Sequence, residues 1–277
     1  MPETPDFARP INPAQDRVVI TGAAGGIGTA LRRALAGRFR NLLLTDQRIP
    51  ADAAGENWIA ADIADLGALA RVMAGAAAVV HLAGAANDDL ETLFRVNARG
   101  MFDVFEEARI AGARRIVFAS SNHAHGFQPI THPVSPDESA RPDGHYGALK
   151  AYGELILRSY FDRYAIRSVS LRIGTYQPHP IDQRSLATWL SPADMAQLVE
   201  RSLLHPDPGA LVVNAYSNNT RLRAARTHWD FLGYTPTDDA EAHLETMRAT
   251  GIPVDAPWEL AAHGGAFAVN PDLPRRR

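Results

Sequence analysis

The sequence predicts an α/β fold in which a doubly wound parallel sheet is covered by helices on both faces. Two observations carry this prediction. Short apolar segments alternate with longer segments of helical periodicity, and the apolar segments contain few polar residues. Strands that alternate with helices form parallel sheets through crossover connections, and a strand that is buried on both faces is apolar along most of its length.

The individual elements follow in chain order. The predicted strands lie at residues 17–21, 41–45, 58–60, 78–82, 115–119, 169–173 and 211–214. The first helical pattern runs through Leu31 and Leu35, and later helical segments span residues 65–76, 89–111 and 145–163. A further helix is predicted to begin after Ser191, because serine is a good N-cap and Pro192 fits the first turn of a helix.

We expect a single domain over residues 16–277, preceded by an irregular lead-in at residues 1–15. The lead-in contains four prolines, which disfavour regular structure. The part that follows residue 174 is less regular and richer in proline, histidine and asparagine. We therefore expect residues 174–277 to provide a small C-terminal region that covers the substrate.

Composition excludes several classes of function. The formal net charge is −3, which argues against nucleic-acid and anionic-membrane partners. The chain has no cysteine, so disulfides, thiolate catalysis and cysteine-bound metals are excluded, and His123 has no neighbours at metal-ligand spacing. The longest apolar run is too short to span a bilayer, and the first residues lack the apolar core of a signal peptide. We expect a cytoplasmic protein without a membrane segment or a metal.

A glycine-rich turn joins the first predicted strand to the first helix. Gly22, Gly25 and Gly28 allow the backbone to turn tightly and to approach a pyrophosphate, which the N–H groups at the start of the helix then bind. The spacing is G-x-x-G-x-x-G. In this strand–turn–helix context, the three glycines predict a dinucleotide site.

Asp46 indicates which dinucleotide is bound. It ends the second predicted strand, where a carboxylate accepts hydrogen bonds from the adenosine ribose and repels a 2′-phosphate. Residues 23–27 contain no lysine or arginine that would offset this repulsion. Arg48 is the one nearby cation that could neutralise Asp46. We therefore predict NAD as the cofactor. Asp62 and Ile63, which follow the third strand, are expected to flank the adenine.

The segment that begins at Tyr146 carries the predicted chemistry. Tyr146 and Lys150 are four residues apart, so a helix places them on one face, and an ammonium group beside a phenol favours the phenolate. Ser121 follows the fifth strand, where its hydroxyl can hold a reacting oxygen while Tyr146 takes the proton. Asn122 and His123 add polar groups. His81 lies in an apolar strand and is interpreted as a core residue.

Together these residues resemble the extended short-chain dehydrogenase/reductase family. The glycine turn, Asp46, Asp62, the His81-Leu82-Ala83-Gly84 segment, Ser121 and the Tyr146/Lys150 pair follow the order of that family. The resemblance implies a Rossmann fold, an oxidoreductase that uses NAD, and homo-oligomers that pair through helices such as 89–111 and 145–163. It adds to the cofactor site Gly26, Ile27, Leu82, Ala83, Gly84, Asn97, Tyr146 and Lys150.

Further segments are similar to the uronate dehydrogenases of this family. They are residues 115–123, 140–144, 172–174, 187–189, 231–236, 239–241 and 264–267, with Arg184. The resemblance implies oxidation at C1 of galacturonate or glucuronate, with NAD, to an aldarolactone. The sugar acid would be bound at the positions of Ala86, Ser121, Asn122, His123, Tyr146, Thr175 and Arg184. Arg184 would contact the carboxylate, although a structural salt bridge is an alternative interpretation of this residue.

Three departures from that pattern leave the sugar open. Ala86 replaces a serine of the family that contacts substrate, Ala124-His125 replaces a Thr-Ile pair, and residues 220–226 replace a Trp-rich segment. Arg221, Arg223 and Arg226 of the last segment either attract a stronger anion or form a solvated face. The alternatives are a dehydrogenase of a neutral or sulfonated aldose, a sugar-nucleotide epimerase or dehydratase, and a non-catalytic NAD-sensing regulator.

Overall fold

The structure is a computed structural model of the 277-residue chain, and it describes residues 9–86, 89–255, 262–265 and 268. Most of the predicted lead-in lies outside the described residues, as do Phe267 of the last family-like segment and the arginines at positions 275–277.

A seven-stranded sheet with helices between its strands forms the centre of the fold. The strands are β1 Arg17–Thr21, β2 Leu42–Asp46, β3 Trp58–Ala60, β4 Ala76–His81, β5 Arg115–Ser121, β6 Arg167–Ile173 and, after two short strands named below, Ala210–Ala215. Their order in the sheet is β3-β2-β1-β4-β5-β6 followed by Ala210–Ala215, and the pairs from β3 to β5 are parallel. The predicted doubly wound parallel sheet is confirmed.

The strand order reverses at β1, which pairs with β2 on one side and β4 on the other. Consecutive connections leave β1 and β4 toward opposite faces of such a sheet, so a crevice opens beyond the carboxyl ends of these strands. Helix α1, Gly26–Leu35, follows β1 directly through the glycine-rich turn. The topology therefore places the turn at the position where sheets of this type bind ligands.

The remaining helices and two short strands follow along the chain. They are α2 Leu66–Met73, α3 Leu90–Leu93, α4 Met101–Ile110, α5 His145–Tyr164, α6 Ser185–Thr188, α7 Pro192–Leu204, α8 Trp229–Leu232 and α9 Leu244–Ala249, and the short strands are β7 Thr175–Tyr176 and β8 Trp189–Leu190. At the start of α7 the Asp194 N–H donates to the Ser191 hydroxyl over 3.0 Å, so the predicted cap is present. Within the described residues, no helix is long and apolar enough to cross a membrane.

The segment predicted as one helix over 89–111 is divided into three parts. A π-helical turn, Phe94–Gly100, separates α3 from α4. Gly100 lies close to Ile63, since a Cβ at this position would approach the Ile63 side chain to 3.0 Å. Wide turns of this kind often occur next to functional sites, and this one carries Asn97.

The chain divides into two compact units. The first comprises Met1–Ala119, Tyr152–Ser170 and Val199–Leu211, and the second comprises Ser120–Ala151, Leu171–Leu198 and Val212–Arg277. In the first unit, the rings of Phe105 and Phe118 meet edge to face in a large core between helices and sheet. A smaller core in the second unit consists of Leu186, Trp189, Ala240, Met247 and Val254. The single domain expected from the sequence stays a prediction.

Candidate active site

The first unit contains a cleft of about 410 Å³ beyond the carboxyl ends of β1, β2 and β4. It brings together residues that are far apart in the sequence, including the first glycines of the turn and the polar ends of the strands. Its lining comprises Gly22, Gly25, Thr45, Asp46, Gln47, Ala61, Asp62, Ile63, Leu82, Ala83, Gly84, Ala85, Thr92, Arg95 and Val96. Six of the residues predicted for the cofactor are not in this lining, namely Gly26, Ile27, Gly28, Asn97, Tyr146 and Lys150.

Two positions of the glycine turn require glycine for steric reasons. Gly22 has φ +70°, and a Cβ there would lie 2.6 Å from the backbone nitrogen of Ala83. A Cβ at Gly28 would lie 2.3 Å from the carbonyl oxygen of Gly22. The absence of a Cβ at Gly28 therefore allows α1 to pack closely on the turn. The absence of a Cβ at Gly22 allows the turn to lie close to the Ala83 backbone in the cleft.

Asp46 is tied to the same turn. Its Oδ2 accepts a hydrogen bond from the Ala24 N–H over 3.0 Å, and its Oδ1 accepts one from the Gln47 N–H over 2.8 Å. A carboxylate has about four lone-pair sites, so these two bonds leave capacity for the hydroxyl groups of a ribose. The carboxylate thus connects β2 to the glycine turn at the edge of the cleft.

Asn97 lies outside the cleft, and it determines the conformation of the loop that lines it. The Asn97 side chain accepts from the Ala85 N–H over 2.8 Å and donates to the Ala85 carbonyl over 2.6 Å. Both ends of the amide are therefore engaged with one residue of the loop that follows β4. The structure gives Asn97 a supporting position behind the cleft.

Sequence reasoning missed seven residues of the cleft lining, namely Thr45, Gln47, Ala61, Ala85, Thr92, Arg95 and Val96. Gln47 donates to Asp62 over 3.3 Å, and an Arg95 nitrogen lies 3.6 Å from the same carboxylate. Arg95 lies on the π-helical turn, which shifts the direction of each side chain relative to an α-helix. An assumption of α-helical periodicity therefore could not place this arginine at the cleft.

The predicted catalytic residues all belong to the second unit. Tyr146 and Lys150 lie on the first turns of α5, and the Lys150 Nζ is 5.5 Å from the centre of the Tyr146 ring. Ser121, at the end of β5, forms a hydrogen bond with Tyr146. Ser121 and Lys150 are both buried. The structure therefore brings together a phenol, a hydroxyl and an amine, as the sequence predicts.

The pKa of Tyr146 moves in the direction opposite to our expectation. Burial raises the pKa of the phenol, and the hydrogen bond with Ser121 lowers it by less. Burial also lowers the pKa of Lys150 from 10.5 to about 8, because an ammonium group is costly to remove from water. The sequence indicated the attraction between the two groups, whereas it could not show how far both are removed from solvent.

Polar groups surround this trio. The His123 N–H donates to Ser121 Oγ over 3.2 Å, and the His123 Nδ1 lies 2.7 Å from a carboxylate oxygen of Asp143. Asn122 is buried, and its Nδ2 has no hydrogen-bond partner within the part of the chain that the structure describes. A buried amide without a partner is costly, so this position favours a ligand that carries an acceptor oxygen.

Arg184 and Thr175 are neighbours, as the resemblance implies. Arg184 donates to the Thr175 hydroxyl over 3.4 Å and to the His263 carbonyl over 3.1 Å, whereas its buried Nε has no partner in the described part of the chain. Among the described residues, Arg184 forms no salt bridge with a carboxylate. The alternative interpretation as a structural salt bridge is therefore not supported there, and the guanidinium keeps capacity for an anion.

Two buried imidazoles belong to His125, which the sequence indicates only as a departure from the family pattern, and to His263, which sequence reasoning missed. Their rings are 5.7 Å apart, and the Nε2 of each is buried without a hydrogen-bond partner among the residues that the structure describes. Burial lowers the pKa of His263 to about 4, and burial together with Arg172 holds the pKa of His125 well below its usual value. Both rings are therefore neutral at physiological pH, and they offer polar nitrogens without adding positive charge.

The departures from the family pattern have different positions. Ala86 is exposed on the loop after β4, whereas Ala124 is fully buried. Arg221 forms a salt bridge with Glu241, Arg223 is exposed, and Arg226 stacks on Trp229. Arg221 and Arg226 thus both contact side chains of the second unit. These contacts support neither of the two interpretations of the segment, an anion site or a solvated face.

Comparison with known proteins gives consistent results. The family model described as "NAD dependent epimerase/dehydratase family" matches residues 18–206. The chain is 40% identical to a uronate dehydrogenase of Pseudomonas putida over 92% of this chain and 96% of that protein. It is 30% identical to an L-arabinose 1-dehydrogenase (NAD(P)(+)) of Haloferax volcanii over 83% of this chain and 99% of that protein.

A solved structure shares the fold over a similar length. It is a mutant of uronate dehydrogenase from Agrobacterium tumefaciens, complexed with NAD, with a TM-score of 0.86 and 38% sequence identity. The similarity covers 93% of this chain and 98% of that one.

Proposed function

The chain belongs to the NAD dependent epimerase/dehydratase family, and on that premise we propose that it oxidises the C1 hydroxyl of a hexuronate, with NAD, to an aldarolactone. The observation that carries the proposal is its similarity to a uronate dehydrogenase over nearly the full length of both chains. The Ser121, Tyr146 and Lys150 trio supplies the groups that this oxidation needs.

The cleft of the first unit fits NAD. The absence of a Cβ at Gly22 and Gly25 lets the backbone approach a pyrophosphate, and the start of α1 offers N–H groups to it. Asp46 would bind the adenosine ribose, Asp62 and Ile63 would flank the adenine, and the backbone from Leu82 to Gly84, which also lines the cleft, would contact the cofactor. When bound, NAD accepts the hydride that leaves C1.

Side chains of the protein remove the proton of the C1 hydroxyl. The Tyr146 phenolate removes the proton of the C1 hydroxyl as the C1–H bond breaks, and the C1–O bond becomes the carbonyl of the lactone. Ser121 holds the reacting oxygen by a hydrogen bond, and the charged form of Lys150 stabilises the phenolate. The sugar ring stays closed throughout, so lactone formation needs no further acid.

Arg184 provides the selectivity for an acid. Its unpartnered Nε and its neighbour Thr175 bind the C6 carboxylate by charge-assisted hydrogen bonds. Asn122 and His123 bind hydroxyl groups of the sugar. The unpartnered Nδ2 of Asn122 supports this role, because a sugar hydroxyl gives it an acceptor.

One observation favours a second candidate, a dehydrogenase of a neutral aldose with the same mechanism. The relative from Haloferax volcanii carries the name of an L-arabinose dehydrogenase, and Ala86 has lost the hydroxyl of the serine in the family pattern. Loss of one hydrogen-bonding group changes binding by roughly 0.5–1.5 kcal/mol, which is enough to alter a preference between sugars.

Initial rates of NADH formation with a panel of sugars at fixed NAD test the proposal. We expect turnover with galacturonate and glucuronate and at least tenfold lower kcat/KM with galactose, glucose and arabinose. Turnover with neutral or sulfonated sugars alone would favour the second candidate. An epimerase regenerates its NAD in each cycle and an NAD sensor does not turn over, so the absence of net NADH with every sugar would point to one of these classes.

The assembly belongs to the same proposal. We expect a cytoplasmic homo-oligomer that pairs through α4 and α5, and no nucleic-acid partner. Four large apolar side chains on these helices are exposed, namely Phe102, Ile110, Tyr152 and Leu155. Leu155 is 69% exposed, and full burial of such a side chain in an interface contributes roughly 1.5–3 kcal/mol. Light scattering of the purified protein gives the oligomeric state, and a monomer would contradict the proposal.

A further inference from the structure

We propose that Asp143 is a positioning residue, which holds the His123 imidazole in the tautomer whose Nε2 accepts a hydrogen bond from a sugar hydroxyl. The inference rests on the proposed function, because it requires a sugar beside Tyr146. It adds a residue whose side chain reaches the substrate only through another side chain.

The first argument is the hydrogen bond itself. Asp143 Oδ2 lies 2.7 Å from His123 Nδ1, and the Asp143 side chain is only 3% exposed. An ionised carboxylate only accepts hydrogen bonds, so the Nδ1 carries the shared proton. In a neutral imidazole the lone pair then lies on Nε2, which makes that nitrogen an acceptor.

The second argument is that the backbone fixes this carboxylate. A Cβ at Gly126 would lie 2.0 Å from Asp143 Oδ2, and a Cβ at Gly264 would lie 1.8 Å from it. The Gly264 N–H donates to the Gly126 carbonyl over 2.8 Å, which holds the two glycines together beside the carboxylate. Any larger residue at either position would push Asp143 away from the imidazole.

The third argument is the position of the imidazole. The His123 ring lies edge-on to the Tyr146 ring with 6.0 Å between their centres, and its backbone N–H donates to Ser121 Oγ. Gly147, next to Tyr146, packs on the His123 carbonyl, where a Cβ would approach to 2.1 Å. His123 is therefore held against both residues that act on the C1 hydroxyl.

These contacts divide recognition between two kinds of group. An acceptor nitrogen at His123 binds a hydroxyl and disfavours a carboxylate, whereas the Arg184 guanidinium binds the carboxylate. A sugar acid presents both groups at different carbons. Asp143 thereby helps to fix which end of the sugar lies next to Tyr146.

The tautomer can be measured directly in the wild-type protein. In protein labelled with ¹⁵N-histidine, the His123 signals are identified by their loss in His123→Gln. We expect a protonated Nδ1 and an unprotonated Nε2 between pH 7 and pH 8. A protonated Nε2 in this range would overturn the inference, and this measurement needs no variant that alters the Asp143 contact.

Two substitutions weaken the same hydrogen bond from different sides. Asp143→Asn removes the charge, and Gly264→Ala displaces the carboxylate. For the hexuronate we expect both to lower kcat/KM by about 10- to 100-fold, mainly through a higher KM, because a poorly oriented group costs binding and alignment. The KM of NAD should change less than twofold.

The exposed pair of His228 and Asp137 offers a matched control. Its atoms are 2.9 Å apart, so Asp137→Asn removes a similar contact in the same unit. We expect this variant to retain wild-type kinetics. If both Asp143→Asn and Gly264→Ala remain within twofold of the wild type, the inference is wrong.

Deoxy sugars separate a positioning role from a merely structural one. We expect the 2-, 3- or 4-deoxy form of the hexuronate to lose at least tenfold in kcat/KM with the wild type and less than threefold with Asp143→Asn. Equal losses in both proteins for all three analogues would overturn the inference. Wild-type turnover of the parent hexuronate remains the separate test of the proposed function.

Discussion

The candidate sites of the two units differ in the groups that form them. In the first unit, the cleft is formed by backbone, with glycines at the turn and backbone N–H groups held by Asp46 and Asn97. In the second unit, side chains form the site, and several of them have polar atoms without a hydrogen-bond partner within the described ranges. A site made of backbone can bind a pyrophosphate without a specific side chain, whereas a site made of side chains can change its substrate by single substitutions.

The largest expected effect is at Tyr146. Tyr146→Phe removes the base and should lower kcat by about 10³-fold, within the range of general-base catalysis. The affinity for NAD, measured by the quenching of protein fluorescence, should remain within twofold. Turnover at the wild-type rate would show that another group takes the proton.

Burial of Lys150 should cost stability. Its pKa falls from 10.5 to about 8 on folding, and one pKa unit corresponds to about 1.36 kcal/mol, so Lys150→Met should raise the free energy of unfolding by about 3 kcal/mol. This pKa is lowered on folding, so the wild type bears the full cost below pH 8 and loses it as the pH rises toward 10.5. Urea unfolding of both proteins at pH 7 and pH 10 measures the difference. A gap that does not shrink with pH would contradict the argument.

Gly22→Ala tests the backbone site. The new Cβ would meet the Ala83 nitrogen at 2.6 Å with φ at +70°, which costs roughly 1–3 kcal/mol of strain. We expect about a 10- to 100-fold weaker affinity for NAD by titration calorimetry. Gly67→Ala, on α2 outside the cleft lining, is the matched control, since a Cβ at Gly67 meets only the Asp65 side chain at an ordinary distance of 3.5 Å. If both variants bind NAD equally well, the close approach of Gly22 to the Ala83 backbone does not contribute to NAD affinity.

Arg184→Met gives the smallest expected effect and tests the site of side chains. It should raise the KM for a hexuronate by about tenfold, since hydrogen bonds to a charged group contribute roughly 1.5–3 kcal/mol. The rate with a neutral aldose should remain within threefold. Arg223→Met, at an exposed position, is the control. An equal loss with both kinds of sugar would assign Arg184 a structural role.

The comparison between the units also explains what the sequence could predict. The parallel sheet, the glycine turn and Asp46 depend on local patterns, so they were predicted close to their observed positions. The π-helical turn that divides the segment 89–111 was not predictable, because helical periodicity does not show that the Asn97 side chain binds the loop after β4. Asp143, His125 and His263 had no local signal, since their roles arise from contacts across the second unit.

The pKa of Tyr146 illustrates the same limit. Spacing in the sequence indicates that a lysine lies near the phenol, and this expectation considered only the attraction between them. The structure adds burial, which raises the pKa of the phenol and lowers that of the amine. Electrostatic effects of burial depend on the whole fold and cannot be obtained from spacing.

Product analysis tests the central claim most directly. Galacturonate labelled with ¹³C at C1 is incubated with the enzyme and NAD, and the carbon is followed by NMR while absorbance reports NADH. The account predicts that the C1 signal moves to that of a lactone carbonyl, with one lactone formed for each NADH. A C1 signal that remains that of the hexuronate, with no NADH formed, would contradict it.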